Sequence, residues 1–553
     1  MTQKVHVHAT KADLGLVSQE AAELVRKAQA GDAVDQTLTV KQAVKKYKKA
    51  VFWALALSLC LVMDGYDVVV ITSFYGQPQF QRRFGSPIGG GAYAISAAWQ
   101  SGLSNSSVVG QLFGLTLSGY LADRIGPRKT TMGFLVWMAA SIFATFFAPN
   151  LQVLAFGLCM CGIGWGSFQT TTTTYASEVV PTVLRPYVTA WVCMCWGLGI
   201  LISSLVVKAV ENVEGELAYR LPFALQWVWP LPLFIATYLA PESPWSSVRR
   251  DRIDEARHNI RRLRQVSTTT DEDVEASLAL IIHTTEIERA ESAGATYLDC
   301  FKGIALRRTE INCVVWAAQI LCGNAILGFA VVFLQQAGFT ASQAFSVNIA
   351  LSSCYIIGGL VCWGLMARLG RATIYMSGMT IMFVLCIVIG GLGCAPAGNK
   401  AAQLGIGITL VINTLVNMIT IGPSCYPIVA ETPSGRLRYK TIVIGRFVYN
   451  LTGIFSNSVT PRMVNPVAAG GWGWGAKVGF FYAGTNLLCN IWCWFRLPET
   501  KDRTFGEIDV LFENKVPARK FRTTKADQFV SESDNAEQTV DEEKAKGDHV
   551  EFA

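Results

Sequence analysis

Two aspartates stand three residues apart in LCLVMDGYDVVV, the stretch from Leu59 to Val70, inside a run that is otherwise apolar. On a helix that spacing sets the carboxyls of Asp64 and Asp67 on one face. A charge at the centre of a bilayer costs about 2.5–3.5 kcal/mol on insertion scales, so an ionisable residue at that depth faces a cavity or a partner. Burial and a like-charged neighbour both favour holding a proton, and such a pair can take one up and release it. That is what a proton-coupled carrier requires. The competing reading is structural: the pair caps a helix break at Gly65, or is held permanently by a cation.

The candidate cation is Arg446, the only basic residue well inside an apolar segment. Pairing with ionised Asp64 or Asp67, lost on protonation, would link a proton to a change of shape. All five histidines (His6, His8, His258, His283 and His549) lie outside the apolar segments, which excludes a histidine relay. Signatures of enzymes are missing. There is no HExxH, no phosphate-binding GxxxxGK[ST] and no zinc spacing, so neither catalysis, a metal nor an organic cofactor is expected. The CMC triplets at 159–161 and 193–195 lie at membrane depth, and the cysteines read as small apolar packing residues.

The elements that must position these groups are helices in a membrane. The 553-residue chain is 51% hydrophobic and 16% charged, whereas a soluble chain carries about a quarter charged residues. Stretches of about 20 apolar residues recur, each long enough to span. Twelve are expected, centred near Leu59, Leu112, Met138, Gly162, Cys195, Phe234, Cys322, Ile357, Val384, Asn413, Leu451 and Leu488. The fold class is therefore an all-α membrane protein of twelve transmembrane helices in two six-helix bundles. Residues 1–49 are polar and lack the apolar core of a cleaved signal, so the first span is expected to serve as the insertion signal.

The chain is written twice. GYLADRIGPRK from Gly119 returns as GLMARLGRA from Gly364; Glu178 precedes Arg185 by seven residues, as Glu431 precedes Arg438; PESPW at Pro241 returns as PETKD at Pro498. Three motifs in the same order indicate duplication of a six-helix unit, an architecture that binds its ligand at midplane between the halves. The expected organisation is a tail at 1–49, a bundle at 50–240, a connector with amphipathic helices at 241–309, a bundle at 310–500 and a tail at 501–553. Both tails read as mostly disordered, the last one acidic after Ser531. The basic clusters at 41–49 and 249–264, Arg128/Lys129, Arg368/Arg371 and Arg436/Arg438 fall on one side of a twelve-span layout, with both termini. The positive-inside rule assigns that side to the cytoplasm, and anionic lipid explains the basic residues without nucleic acid.

From about Ala50 to Phe512 these motifs resemble the sugar-porter family of the major facilitator superfamily. GYLADRIGPRK marks the superfamily; PESPW and PETK with the Glu-to-Arg pairs mark the branch. CGIGWGSFQTTTTTYASEV (161–179), AYRLPFALQWVWPLP (218–232), LAPESPW (239–245) and KTIVIGRFVYN (440–450) look like the fungal α-glucoside, maltose-type permeases. The resemblance implies proton-driven uptake of a glucoside at a fungal plasma membrane. It implies an acidic pair at Asp64 and Asp67 and a basic partner at Arg446. One position departs: Gln111 stands where such permeases are expected to place a glutamate, and a glutamine cannot titrate.

The resemblance also implies sugar contacts. Amides bind hydroxyls and aromatic faces bind the C–H faces of a sugar ring. Gln319 matches the first glutamine of the seventh-span signature, Ile320 replaces the second, and Asn324 falls one place before the family asparagine. Tyr426 matches the aromatic set against the sugar, and Tyr449 with Asn450 a polar–aromatic pair in span eleven. Gln169 neighbours the threonine run 170–174, which itself reads as backbone-bonded packing. Cys193 and Ile200 occupy span-five positions where relatives carry amides. Asp123, Arg124, Arg128, Glu178, Arg185, Glu431 and Arg438 correspond to the cytoplasmic gate, with an eroded second copy in which Ala367 stands for Asp123.

The reading is a proton-coupled importer of α-glucosides or related oligosaccharides by alternating access. Two alternatives stay open. The departures in span five and at Gln111 suit a facilitator or exporter of a less polar metabolite, and a non-transporting sugar sensor would share these motifs but carry a longer tail. The N-S-S sequon at Asn105 lies at or within span two, where glycosylation is not expected.

Overall fold

The computed structural model describes residues 26–27 and 39–524, apart from 90, 182, 266–269, 293–295, 397, 502 and 504. The expected disorder of residues 1–25 and of the acidic segment after Ser531, and His6, His8 and His549, lie outside the described residues.

Every expected span centre falls on helix or on a short break within one. In chain order the spans are Lys48–Phe74, Ala97–Ile125, Pro127–Phe146, Leu151–Val179, Arg185–Ala209 and a sixth in two pieces, Leu217–Leu225 and Pro230–Leu239. The second set is Gly303–Leu321 with Asn324–Gln336, then Ala341–Arg368, Arg371–Leu392, Lys400–Glu431, Arg438–Val464 and Val478–Arg496. Seven of the described helices are long and apolar enough to cross a membrane unaided, or eight counting the seventh span, which bends by 44°. The others are short or carry polar side chains. Spans two and eleven spend theirs on each other: Asn105 Nδ2 donates to Ser458 Oγ at 2.8 Å and Ser101 Oγ to the Ser458 carbonyl at 3.3 Å.

The chain forms two compact units that do not coincide with the two halves of the duplication. The first comprises Met1–Asp67, Val109–Ile200 and Arg220–Ala293; the second comprises Val68–Val108, Leu201–Tyr219 and Gly294–Ala553. The ends of spans one, two and five remote from the connector therefore belong with the later helices. Neutral hydrogen bonds hold them there, together with Lys208 Nζ of span five, which donates to Ser342 Oγ at 2.6 Å. Gln100 and Asn465 exchange amide bonds at 3.0 and 3.3 Å, Ser204 bonds Ser352 at 2.7 Å and Asn348 at 3.0 Å, and Gln335 Nε2 donates to the Gly76 carbonyl at 2.7 Å.

In the first unit, the connector forms the helices Pro244–Arg249, Ile253–Leu263 and Asp271–Ser292. Val248, Ala256, Ile260, Val274, Leu278 and Ile281 close their own small core. The first span is continuous through Gly65, and its one interruption falls at Leu59. Gly65 is required by packing. A Cβ there would stand 2.1 Å from the Trp196 carbonyl oxygen, and one at Gly199 would stand 2.0 Å from that of Val62, so spans one and five meet backbone to backbone. This disposes of the helix-break explanation for the aspartates.

In the second unit, part of the expected C-terminal tail is ordered. The helix Phe505–Glu513 and Phe521 join the core of the second bundle through Ile508, Leu511 and Phe512. Arg308 lies over the Phe512 ring at 4.5 Å and pairs with Asp509.

Candidate functional site

Both aspartates are sealed, Asp64 at 0% and Asp67 at 2% exposure, and both are met by span four. Trp165 Nε1 donates to Asp67 Oδ2 at 2.9 Å, and Gln169 Nε2 donates to Asp64 Oδ2 at 2.9 Å. The donors are four residues apart on one helix face, as the carboxyls are three apart on theirs, so the two rows register. Asp67 Oδ1 is buried and takes no hydrogen bond from the described residues. Trp165 is itself 1% exposed, whereas Gln169 is half-buried and reaches the edge of this interior. Gln111 approaches from span two: a Cβ at Gly166 would stand 2.2 Å from its carbonyl oxygen. The departure from the expected glutamate thus lies on the helix packed beside Trp165 and Gln169.

Trp165 was not among the residues singled out in the sequence. An indole next to a glycine in a membrane helix looks like packing, and its partner lies almost a hundred residues away. The threonine run behaves as read. Thr170, Thr171, Thr172 and Thr173 each bond the carbonyl four residues earlier, at 3.2, 2.9, 2.6 and 2.8 Å.

In the second unit two of the expected sugar-contact residues, Tyr426 and Tyr449, meet a further aromatic, Trp316. Its ring meets Tyr426 edge-on at 5.2 Å and Tyr449 at 5.2 Å. The Arg446 guanidinium lies 5.0 Å from the Trp316 ring centre and 4.7 Å from that of Tyr449, a cation–π arrangement. Tyr426 is 47% exposed; Asn450, beside Tyr449, is buried. Gln319 follows Trp316 by one turn, and its Nε2 donates to the Gly422 carbonyl at 3.2 Å, bracing spans seven and ten. One of the two hydrogens expected for a ligand is therefore committed to the protein. Asn324 begins the second piece of span seven, just after Gly323 at φ +105°. The carbonyls released by this bend are taken by span twelve, Leu321 by Thr485 at 2.7 Å and Cys322 by Asn486 at 3.1 Å. Asn324 Oδ1 is buried with no hydrogen-bond partner among the described residues. In span five, Cys193 is exposed and Ile200 buried against span one.

The duplicated charge motifs form two similar locks, each within its own unit. In the first, Glu178 accepts from Ser243 Oγ and pairs with Arg249. Glu242 accepts the Arg128 N–H at 3.1 Å, capping the start of span three beside Gly126, with Arg250 at 4.0 Å. Burial pushes the Glu242 carboxyl above its ordinary value, against the pull of the Arg128 and Ser243 N–H groups and of the two arginine charges. In the second lock, Glu431 accepts from Thr500 Oγ1 at 2.5 Å and pairs with Arg371 at 3.3 Å. Glu499 accepts the Ala372 and Thr373 N–H groups at 3.4 and 3.2 Å, capping span nine. The hydroxyls that hold Glu178 and Glu431 come from the PES and PET motifs, and the arginines that pair with them are Arg249 and Arg371. Arg128 spends its side chain on the Thr237 and Tyr238 carbonyls, Arg185 Nε donates to the Ser177 carbonyl at 3.1 Å, Arg438 opens span eleven, Asp123 is exposed, and Arg124 stacks on Tyr120 at 4.5 Å.

Twelve helices written as two repeats, with carboxyls buried in the first of them, define a membrane carrier of the major facilitator fold. The profile of the family described as "Sugar (and other) transporter" matches residues 53–512, and the chain belongs to that family. It is 39% identical over 500 residues to a general alpha-glucoside permease of Saccharomyces cerevisiae, covering 90% of this chain and 80% of the relative. A maltose permease of the same yeast is 38% identical over 514 residues, covering 92% and 83%. Among solved structures, the xylose transporter XylE from E. coli in a partially occluded inward-open conformation superposes with a TM-score of 0.67 at 17% identity, covering 82% of this chain and 99% of XylE. XylE bound to 6-bromo-6-deoxy-D-glucose gives 0.66 at 19% identity, covering 84% and 100%. The protein is a multi-pass membrane transporter and not an enzyme.

Proposed function

We propose that this transporter imports α-glucosides or related oligosaccharides across a fungal plasma membrane with a proton as the coupling ion, both termini being cytoplasmic. The observation that carries the reading is the sealed Asp64–Asp67 pair held by two donors of span four. A carboxyl at that depth, with Asp67 Oδ1 unsatisfied, is suited to carry a proton and poorly suited to any static role. Asp64, Asp67 and Arg446 form the proton-coupling set. Tyr426 and Tyr449 offer aromatic faces, while Gln319, Asn324, Asn450 and Gln169 offer amides to sugar hydroxyls. The substrate class is that of the yeast α-glucoside and maltose permeases to which the chain is similar. The charged locks carrying Asp123, Arg124, Arg128, Glu178, Arg185, Glu431 and Arg438 serve as the cytoplasmic gate of an alternating-access cycle.

The test is uptake in cells lacking their own sugar permeases, with maltose, sucrose, trehalose, raffinose and glucose offered in turn and external pH recorded. Sugar entry with alkalinisation, abolished by Asp67→Asn, is the expected result. Entry without proton movement would make the protein a facilitator and Gln111 the reason; no entry of any sugar would overturn the substrate class.

A further inference from the structure

The two aspartates are held by chemically different partners, and the difference has a consequence for coupling. The indole of Trp165 is a donor only. It can hold Asp67 through a lone pair, but it cannot receive a hydrogen from that carboxyl. The carboxamide of Gln169 has a donor end and an acceptor end. Its Nε2 lies 2.9 Å from Asp64 Oδ2, the arrangement that suits an ionised carboxyl. Against a protonated Asp64 the stable arrangement is reversed, with the carboxyl O–H donating to Oε1. The amide then presents its opposite end to its surroundings.

Exposure separates the two pairs in the same sense. Asp64, Asp67 and Trp165 are buried, while Gln169 alone of the four is half-buried. The residues around it on span four are fixed by backbone packing: Gly166 touches the Gln111 carbonyl, and Thr173 bonds the Gln169 carbonyl at 2.8 Å. Among the described residues the titratable groups sharing this interior include Asp67, Tyr66 and Cys60 on the same helix, Cys161 on span four and Cys195 on span five, with Arg446 the cation assigned to the cycle.

We infer that Gln169 is the positioning residue that reports the protonation of Asp64 to the sugar, by inverting its carboxamide. The inference rests on the proton-coupled reading above. A proton from the medium adds to an Asp64 oxygen and gives an O–H that donates to Gln169 Oε1, leaving Nε2 to meet a hydroxyl acceptor of the sugar. Release of the proton on the other side restores the carboxylate and recaptures Nε2, withdrawing the donor from the sugar. Affinity for sugar and affinity for the proton are then linked reciprocally.

The experiment compares wild type with Gln169→Met, which keeps length and loses both hydrogen-bonding ends. Three quantities are read in the same cells: sugar counterflow between equal concentrations, the proton-to-sugar ratio during uptake, and the steady accumulation of sugar. Counterflow is expected to persist with a raised KM, while the proton-to-sugar ratio and accumulation fall by about tenfold, the scale of a typical coupling between sites. A merely structural role would lower all three together, and that outcome overturns the inference, as does an unchanged ratio. Should Gln169→Met fail to reach the cell surface, Gln169→Asn, which keeps both ends on a shorter arm, should restore counterflow and a partial ratio; an Asn variant with neither at normal surface level overturns it. If wild type itself transports sugar without protons, the coupled reading fails and this inference falls with it, a result distinguishable because it precedes any substitution.

Discussion

The two copies of the charge motif solve the same problem with different reserves. In each, a glycine precedes a helix, a glutamate from the PES or PET motif caps that helix, and the following hydroxyl holds the glutamate that ends span four or span ten. The first copy is buried deeper and surrounded by arginines: Glu242 is 3% exposed, with Arg250 close by. Gly126 takes φ +95°, and a Cβ on it would meet Glu242 Oε2 at 2.7 Å. Gly370 has an ordinary φ of −72°, and a Cβ there would meet Glu499 Oε2 at 2.0 Å. Ser243 also caps the helix Pro244–Arg249, accepting from Ser246 N–H. What duplication preserved is the carboxylate on the helix start, where the macrodipole and unpaired N–H groups favour negative charge. The surrounding ion pairs drifted.

This contrast can be broken by mutation, with thermal stability in detergent as the readout. Glu242→Ala is expected to be the most damaging, at about 3–5 kcal/mol, because it strands a buried arginine and uncaps span three. Glu242→Gln should cost much less, since an amide oxygen still accepts the Arg128 N–H and burial already disfavours the ionised carboxyl. Gly126→Ala follows, at about 1–3 kcal/mol, because its backbone lies in a region that side chains rarely adopt. Gly370→Ala should be milder, its cost coming only from moving Glu499. Glu499→Ala should lose about 1 kcal/mol, the usual worth of a cap. Equal losses at Glu242 and Glu499 would erase the proposed difference in depth. Smallest is Thr500→Val, at about 0.5–1.5 kcal/mol for one hydrogen bond. Ser243→Ala should exceed it, and the reverse order would show that the second cap of Ser243 contributes nothing.

Much of the architecture was legible in the residues. Apolar stretches marked where twelve helices lie, although only seven or eight of the described ones are apolar enough to span unaided, and repetition of short motifs exposed the duplication, because both are local properties of the chain. The aspartates announced themselves by being charged where charge is costly. Their partners did not. Trp165 and Gln169 become donors only when span four is laid against span one, and that juxtaposition depends on Gly65 and Gly199 allowing spans one and five to close. Trp316 was passed over for the same reason, an aromatic among apolar neighbours until Tyr426, Tyr449 and Arg446 surround it. Gln319 was assigned to the sugar from the motif, and only the fold reveals that Gly422 takes one of its hydrogens. The ordered helix Phe505–Glu513 was hidden because its apolar residues need Arg308 and the second bundle to be of use.

Neither the amide exchange between Gln100 and Asn465 nor the contact between Ser204 and Ser352 contains a group that titrates or a net charge for ions to screen. In the proposed orientation both face the medium. Acid or salt on that side should leave the strength of these bonds unchanged, unlike that of the Lys208–Glu211 pair at the end of span five.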